Sequence, residues 1–113
     1  MKSDNFRILR EIKEFIFSLD TILVHFPKGE KVLKDNIYDV SYSILEEVIF
    51  ANLLADKQLV QKRIIARLSM LDFYFELAYR KKYISEKKCI HFCKKLQNIT
   101  KMTYGWIKNG WTY

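Results

Sequence analysis

Glycine and proline are almost missing from this chain of 113 residues. Gly occurs only at 29, 105 and 110, and Pro only at 27. Between Glu30 and Tyr104 there is neither. A stretch of that length without breakers, patterned at the helical period, is helical, and its turns must come from other signals. The same scarcity excludes a Gly-rich phosphate-binding loop, and neither an HExxH pair nor a nucleophile elbow is present. Cysteine is limited to Cys89 and Cys93, four apart on one helix face, where a disulfide would distort the helix. Free thiols are expected. No apolar run approaches the roughly 20 residues of a membrane span. Met1 to Asn5 is mostly polar and the segment after it is amphipathic, unlike a signal peptide. The chain therefore reads as a soluble cytoplasmic protein.

Acidic residues are scarce in the second half. Residues 1–56 hold 7 Lys/Arg and 10 Asp/Glu, a balance of −3, whereas residues 57–113 hold 13 Lys/Arg and 3 Asp/Glu, a balance of +10. That asymmetry says more than the net +7. It predicts that one side of the fold is positive, and nucleic acid is the first partner to consider.

Hydrophobic residues make up 50% of the chain, enough for a real core. Their spacing predicts one domain over 1–113 with four helices, at about 5–25, 30–54, 57–81 and 86–108. The first carries Ile8/Leu9, Ile12, Phe15/Ile16, Leu19, Ile22/Leu23 and Phe26. The second carries Leu33, Ile37, Val40, Ile44, Val48 and Ala51, with Asp35, Asp39 and Glu46 on an acidic face around Tyr42. In the third, Val60, Ile64, Leu68, Leu71, Phe75 and Ala78 form the core stripe. Ala66, Met70, Phe73 and Leu77 add a second apolar line, more than one bundle core requires. Met70, Phe73 and Leu77 are accordingly the expected oligomer interface. Asp56 and Ser85 are the expected N-caps of the third and fourth helices. Helices of this length joined by short turns predict an all-α, antiparallel up-down-up-down four-helix bundle.

The fourth helix has a core stripe of Cys89, Phe92, Cys93, Leu96, Ile99, Thr103, Trp106 and Ile107. On another side Lys87, Lys94, Lys101 and Lys108 recur every seven residues, and Lys88 and Lys95 widen the line. A heptad drifts about 20° on an ideal helix, so these lysines make a rail roughly 32 Å long. Two readings stand: a solvated face, or a surface for a polyanion, with Arg63 and Arg67 of the third helix as further phosphate contacts. Gly105 is expected to interrupt the last turns, and Trp106 and Trp111 to be partly buried. Cys89, His91 and Cys93 do not make a metal site, because His91 lies about 200° round the helix from Cys89. The carboxylates are dispersed on exposed faces. Neither an enzyme nor a cofactor, metal or small-molecule site is expected.

Several segments resemble one family. They are His25-Phe26-Pro27-Lys28-Gly29-Glu30-Lys31, the helix end Glu46-Glu47-Val48-Ile49-Phe50-Ala51-Asn52, the run from Arg67 to Phe75, and the closing Tyr104-Gly105-Trp106-Ile107-Lys108. Together they are similar to the Avd-type four-helix-bundle proteins, the accessory variability determinants of diversity-generating retroelements. A related bundle family, encoded in intervening sequences of bacterial 23S ribosomal RNA genes, shares the architecture and the Phe-Pro-Lys feature. The resemblance implies a basic, non-catalytic protein that forms a pentameric barrel and binds nucleic acid. It also implies association with a reverse transcriptase and its template RNA in mutagenic cDNA synthesis. The tail from Asn109 to Tyr113 lacks a basic extension. The alternative is a protein-interaction scaffold of the ribosomal-RNA-insertion type, whose lysines only solvate it.

Overall fold

A computed structural model describes residues 6–109. Trp111 and Gly110 lie outside the described residues. Helix α1 spans Arg7–Ser18, α2 Asp20–Leu23, α3 Lys31–Leu53, α4 Gln58–Arg80 and α5 Glu86–Asn109. No strand occurs among the described residues. The predicted first helix corresponds to α1 and α2 together. Its backbone remains in the right-handed helical region at Leu19, but the local hydrogen bonds tighten to Leu19 N–H to Ile16 carbonyl and Ile22 N–H to Leu19 carbonyl, both 3.1 Å. The cause is side-chain competition. Ser18 Oγ donates to the Phe15 carbonyl at 2.7 Å and Thr21 Oγ1 to the Ser18 carbonyl at 2.6 Å, offering the chain an alternative to the regular ladder.

The long helices form a four-helix bundle in which each packs on its neighbours in the order α1–α3–α4–α5, and α5 closes back on α1. Neighbours run antiparallel. Glu30, at the start of α3, meets Lys81 just past the end of α4, and Glu47, late in α3, meets Arg63, early in α4. One continuous core fills the interior. Phe15 of α1, Phe75 of α4 and Phe92 of α5 meet at its centre, with ring centroids 5.1–6.1 Å apart. At one end Trp106 is fully buried edge-on to Phe6, centroids 5.1 Å apart. That anchor carries α5 straight through Gly105 to Asn109, whose side-chain amide donates to the Gly105 carbonyl at 2.9 Å. The expected interruption at Gly105 and the partial exposure of Trp106 are therefore both corrected.

The other end is tied by the residues around Pro27. Phe26 packs against Tyr83 (5.5 Å), the Glu30 N–H bonds the Pro27 carbonyl (3.0 Å), and Tyr83 Oη donates to Glu30 Oε1 (2.7 Å). That bond, with Lys81 beside it, holds the Glu30 carboxyl below its ordinary range and pushes the Tyr83 phenol up. Between α3 and α4, the N-cap position falls at Lys57 rather than Asp56. Asp56 accepts only a long bond from the Gln58 N–H (3.4 Å), while the Lys57 ammonium turns back to donate to the Leu54 carbonyl at the end of α3. Ser85 does cap α5, its hydroxyl taking the Lys88 N–H at 3.1 Å.

The exit from α4 is unusual in composition. The Lys82 N–H bonds the Tyr79 carbonyl and the Tyr83 N–H the Ala78 carbonyl, both at 2.9 Å. This is a Schellman closure, which needs a left-handed residue and normally has glycine there. Here Lys82 occupies that position, with φ 66°. A β-carbon at a left-handed φ costs roughly 1–2 kcal/mol, partly offset by the extra chain entropy that glycine loses on folding. Lys82→Gly should therefore stabilise the fold by about 0.5–1 kcal/mol, read as a higher midpoint in urea with an unchanged slope. A lower midpoint would mean that the Lys82 side chain contributes more than its backbone costs.

Candidate nucleic-acid interface

Helix α5 turns Phe92, Leu96, Ile99, Thr103 and Trp106 into the core. Cys89, Cys93 and Ile107 sit at the edges of this stripe, half-buried. Lys87, Lys94, Lys101 and Lys108 lie on the side directly opposite and are all exposed. Among the described residues, none of these four lysines has a carboxylate within 4 Å, and no acidic residue follows Glu86 in the sequence. The rail is thus a row of uncompensated cations along one helix, the arrangement that attracts a polyanion through charge rather than through base edges.

Not every predicted cation joins it. Lys95 is half-buried, with its ammonium 5.6 Å from the centre of the Phe92 ring. It borders a shallow groove shared with Glu11 and Glu14 of α1. Lys88 is exposed on that same flank, one heptad earlier. Lys95 thus faces the acids of α1 rather than widening the rail. Arg63 and Arg67 are on α4 and turn towards α3, where both converge on Glu47 Oε1, at 2.8 and 3.7 Å. They form a cluster separate from the rail, with Glu47 pulled to 9% exposure. The second carboxylate oxygen of Glu47 is buried with no hydrogen-bond partner among the described residues. Periodicity could not reveal this trio, because the partner is on a different helix.

The second apolar line on α4 is partly open. Met70 and Phe73 are 44% and 50% exposed, and Ala66 is exposed, whereas Leu77 packs against the core. The apolar surface has members the sequence reading missed. Phe50 and Leu53 at the end of α3, and Leu59 at the start of α4, are exposed as well. The acidic face of α3 is present as expected, with Asp35, Asp39, Tyr42 and Glu46 all exposed. Lys31 offsets Asp35 at 2.6 Å.

The two thiols are poorly placed for chemistry. Burial pushes both up, and the Asp72 carboxylate raises Cys93 further, so both stay protonated and weakly nucleophilic at neutral pH. Cys89 Sγ contacts the Phe75 carbonyl at 3.7 Å. Among the described residues, no three His, Cys, Asp or Glu side chains are grouped to hold a metal ion, and no helix is long and apolar enough to cross a membrane.

No curated protein and no solved structure matches the sequence. A family match runs from residue 6 to residue 110, nearly the whole chain, and takes in the Pro27 turn, the α4 run and the buried Trp106. On that match, and with the four-helix architecture it accompanies, the chain belongs to the bAvd-like family.

Proposed function

We propose that this chain is a non-catalytic, basic nucleic-acid-binding accessory protein. It associates with the reverse transcriptase of a diversity-generating retroelement and with the template RNA, and supports mutagenic cDNA synthesis in the cytoplasm. The observation that carries the reading is the row Lys87, Lys94, Lys101 and Lys108, exposed and, among the described residues, with no carboxylate within 4 Å, in a member of the bAvd-like family. Each lysine would meet a phosphate, so the contacts position RNA or DNA without reading its sequence. No cofactor enters this reading.

The assembly is a closed homo-oligomer, a pentamer by family resemblance. The exposed Phe50, Leu53, Leu59, Met70 and Phe73 favour a protein contact on the α3–α4 side, away from the lysines. A closed ring repeats each lysine row by symmetry, and avidity then multiplies the affinity of one row. The scaffold alternative uses the same apolar surface for a different protein.

A single experiment separates these readings. The protein is titrated into labelled RNA at several salt concentrations, with light scattering on the same sample and capture of co-expressed reverse transcriptase. Binding should fall linearly on a logarithmic salt scale with a slope of about −0.7 per neutralised phosphate on a single strand. The scattering mass should be a multiple of the 13.6 kDa chain. Salt-independent binding would rule out the phosphate mechanism, and a 13.6 kDa species at micromolar concentration would rule out the ring. A transcriptase partner with no nucleic-acid binding would favour the scaffold.

A further inference from the structure

A second row runs beside the lysines, and phosphate contacts leave it unused. Ile90, Gln97 and Tyr104 repeat at the same spacing of seven, each three residues after a rail lysine. Three residues turn an α-helix about 300°, so this row lies about 60° round from the lysines. All three are exposed, Ile90 at 48% and Tyr104 at 57%. Gln97 and Tyr104 of this row border a groove of about 370 Å³ between α4 and α5, a size typical of small-ligand sites.

The groove has a composed lining. Its floor is Leu68 and Leu96, both buried. Ser69 and Asp72 of α4 form one wall and Gln97 and Thr100 of α5 the other, with Lys101 and Tyr104 completing the α5 side. The hydroxyls of Ser69 and Thr100 donate to carbonyls of their own helices, at 3.1 and 2.8 Å. What they offer the groove is therefore acceptor lone pairs. Asp72 offers acceptors only. A site built for phosphate alone would exclude a carboxylate, which repels the anion. An apolar floor, a tyrosine ring, several acceptors and one cation suit a flat base with amino groups, a sugar hydroxyl and a neighbouring phosphate.

We propose that the α4–α5 groove receives one unpaired nucleotide of single-stranded RNA. The base stacks on Tyr104 above Leu68 and Leu96. The ribose 2′-hydroxyl donates to Asp72, and the adjoining phosphate lies on Lys101. The inference rests on the nucleic-acid reading above and adds the form of the ligand. Bases in a duplex are already stacked and paired, so they do not enter.

Tyr104→Ala and Tyr104→Phe test it, since an exposed ring is removed without opening the core. Each protein is titrated by fluorescence anisotropy with a short single-stranded RNA, the same strand with abasic sites, its DNA counterpart and an RNA duplex. Loss of one stacked base should weaken single-stranded RNA binding roughly tenfold in Tyr104→Ala. Abasic and duplex binding should be unchanged, Tyr104→Phe should bind as the parent does, and DNA should bind the parent less tightly than RNA. No loss in Tyr104→Ala, or an equal loss on the abasic strand, overturns the groove while leaving the lysine row standing. Equal affinity for DNA overturns the ribose contact. A parent protein that binds none of the four ligands overturns this inference and the nucleic-acid reading together.

Discussion

Reversing charge at Lys94 and Lys101 together should reduce RNA affinity by about a thousandfold while leaving the fold in place. A lysine–phosphate pair at 4 Å is worth about 1 kcal/mol in water. Lys94→Glu with Lys101→Glu removes two such attractions and adds two repulsions, about 4 kcal/mol in all, close to three decades of Kd. Both positions are exposed and neither has an acid within 4 Å among the described residues, so stability should move by only about 0.5 kcal/mol. Circular dichroism, sedimentation and an RNA titration on the same preparation make the check. Normal helicity and assembly with lost binding supports the rail. Unchanged binding moves the contact to Arg63 and Arg67, or leaves the lysines as solvation. Lost assembly puts the rail against a neighbouring subunit, with the acidic face at Asp35, Asp39 and Glu46 as its natural counterpart.

The largest effect on stability should come from Phe92→Ala. Phe92 is 3% exposed and joins three helices, with its ring stacked on Phe75 at 11° and edge-on to Phe15. Truncation leaves a cavity that two other rings cannot close without leaving their own rotamers, so the cost should be about 3–5 kcal/mol. Against a typical total of about 5–15 kcal/mol, that is a large fraction, and the thermal midpoint should fall by at least about 10 °C. Phe17→Ala, at a ring 70% exposed, should shift stability by only about 0.5 kcal/mol. A Phe92→Ala loss no larger than that of Phe17→Ala would show that the three-ring cluster is not the centre of the core.

The helices were legible because burial repeats at their own period. The stripes Ile8 to Leu23, Val60 to Ala78 and Phe92 to Trp106 are buried as the spacing requires. In α3, however, Val40 packs against the core only half-buried, and Ser41, which the stripe leaves out, is fully buried. Its hydroxyl donates to the Ile37 carbonyl at 2.7 Å, which offsets the cost of burying a polar group. Glu47 was unreadable for a related reason: what makes its burial tolerable is a pair of arginines on the next helix. Heptad spacing puts Lys95 beside the rail, but spacing along one helix cannot register Glu11 and Glu14 on another. The α4–α5 groove is invisible in either helix alone, since each contributes half of its lining.

The uneven charge has a kinetic consequence once the fold is known. Residues 1–56 form α1, α2 and α3, and residues 57–113 contain α4 and α5. The −3 and +10 halves of the sequence are therefore two opposed layers of one small body, 43 by 26 by 22 Å. A body so polarised feels a torque in the field of a polyanion before any contact is made, and presents its positive layer first. With a screening length near 8 Å at physiological salt, that turning happens only in the last ångströms of approach. The protein should therefore gain through faster productive encounter, and it is the association rate that added salt should reduce most.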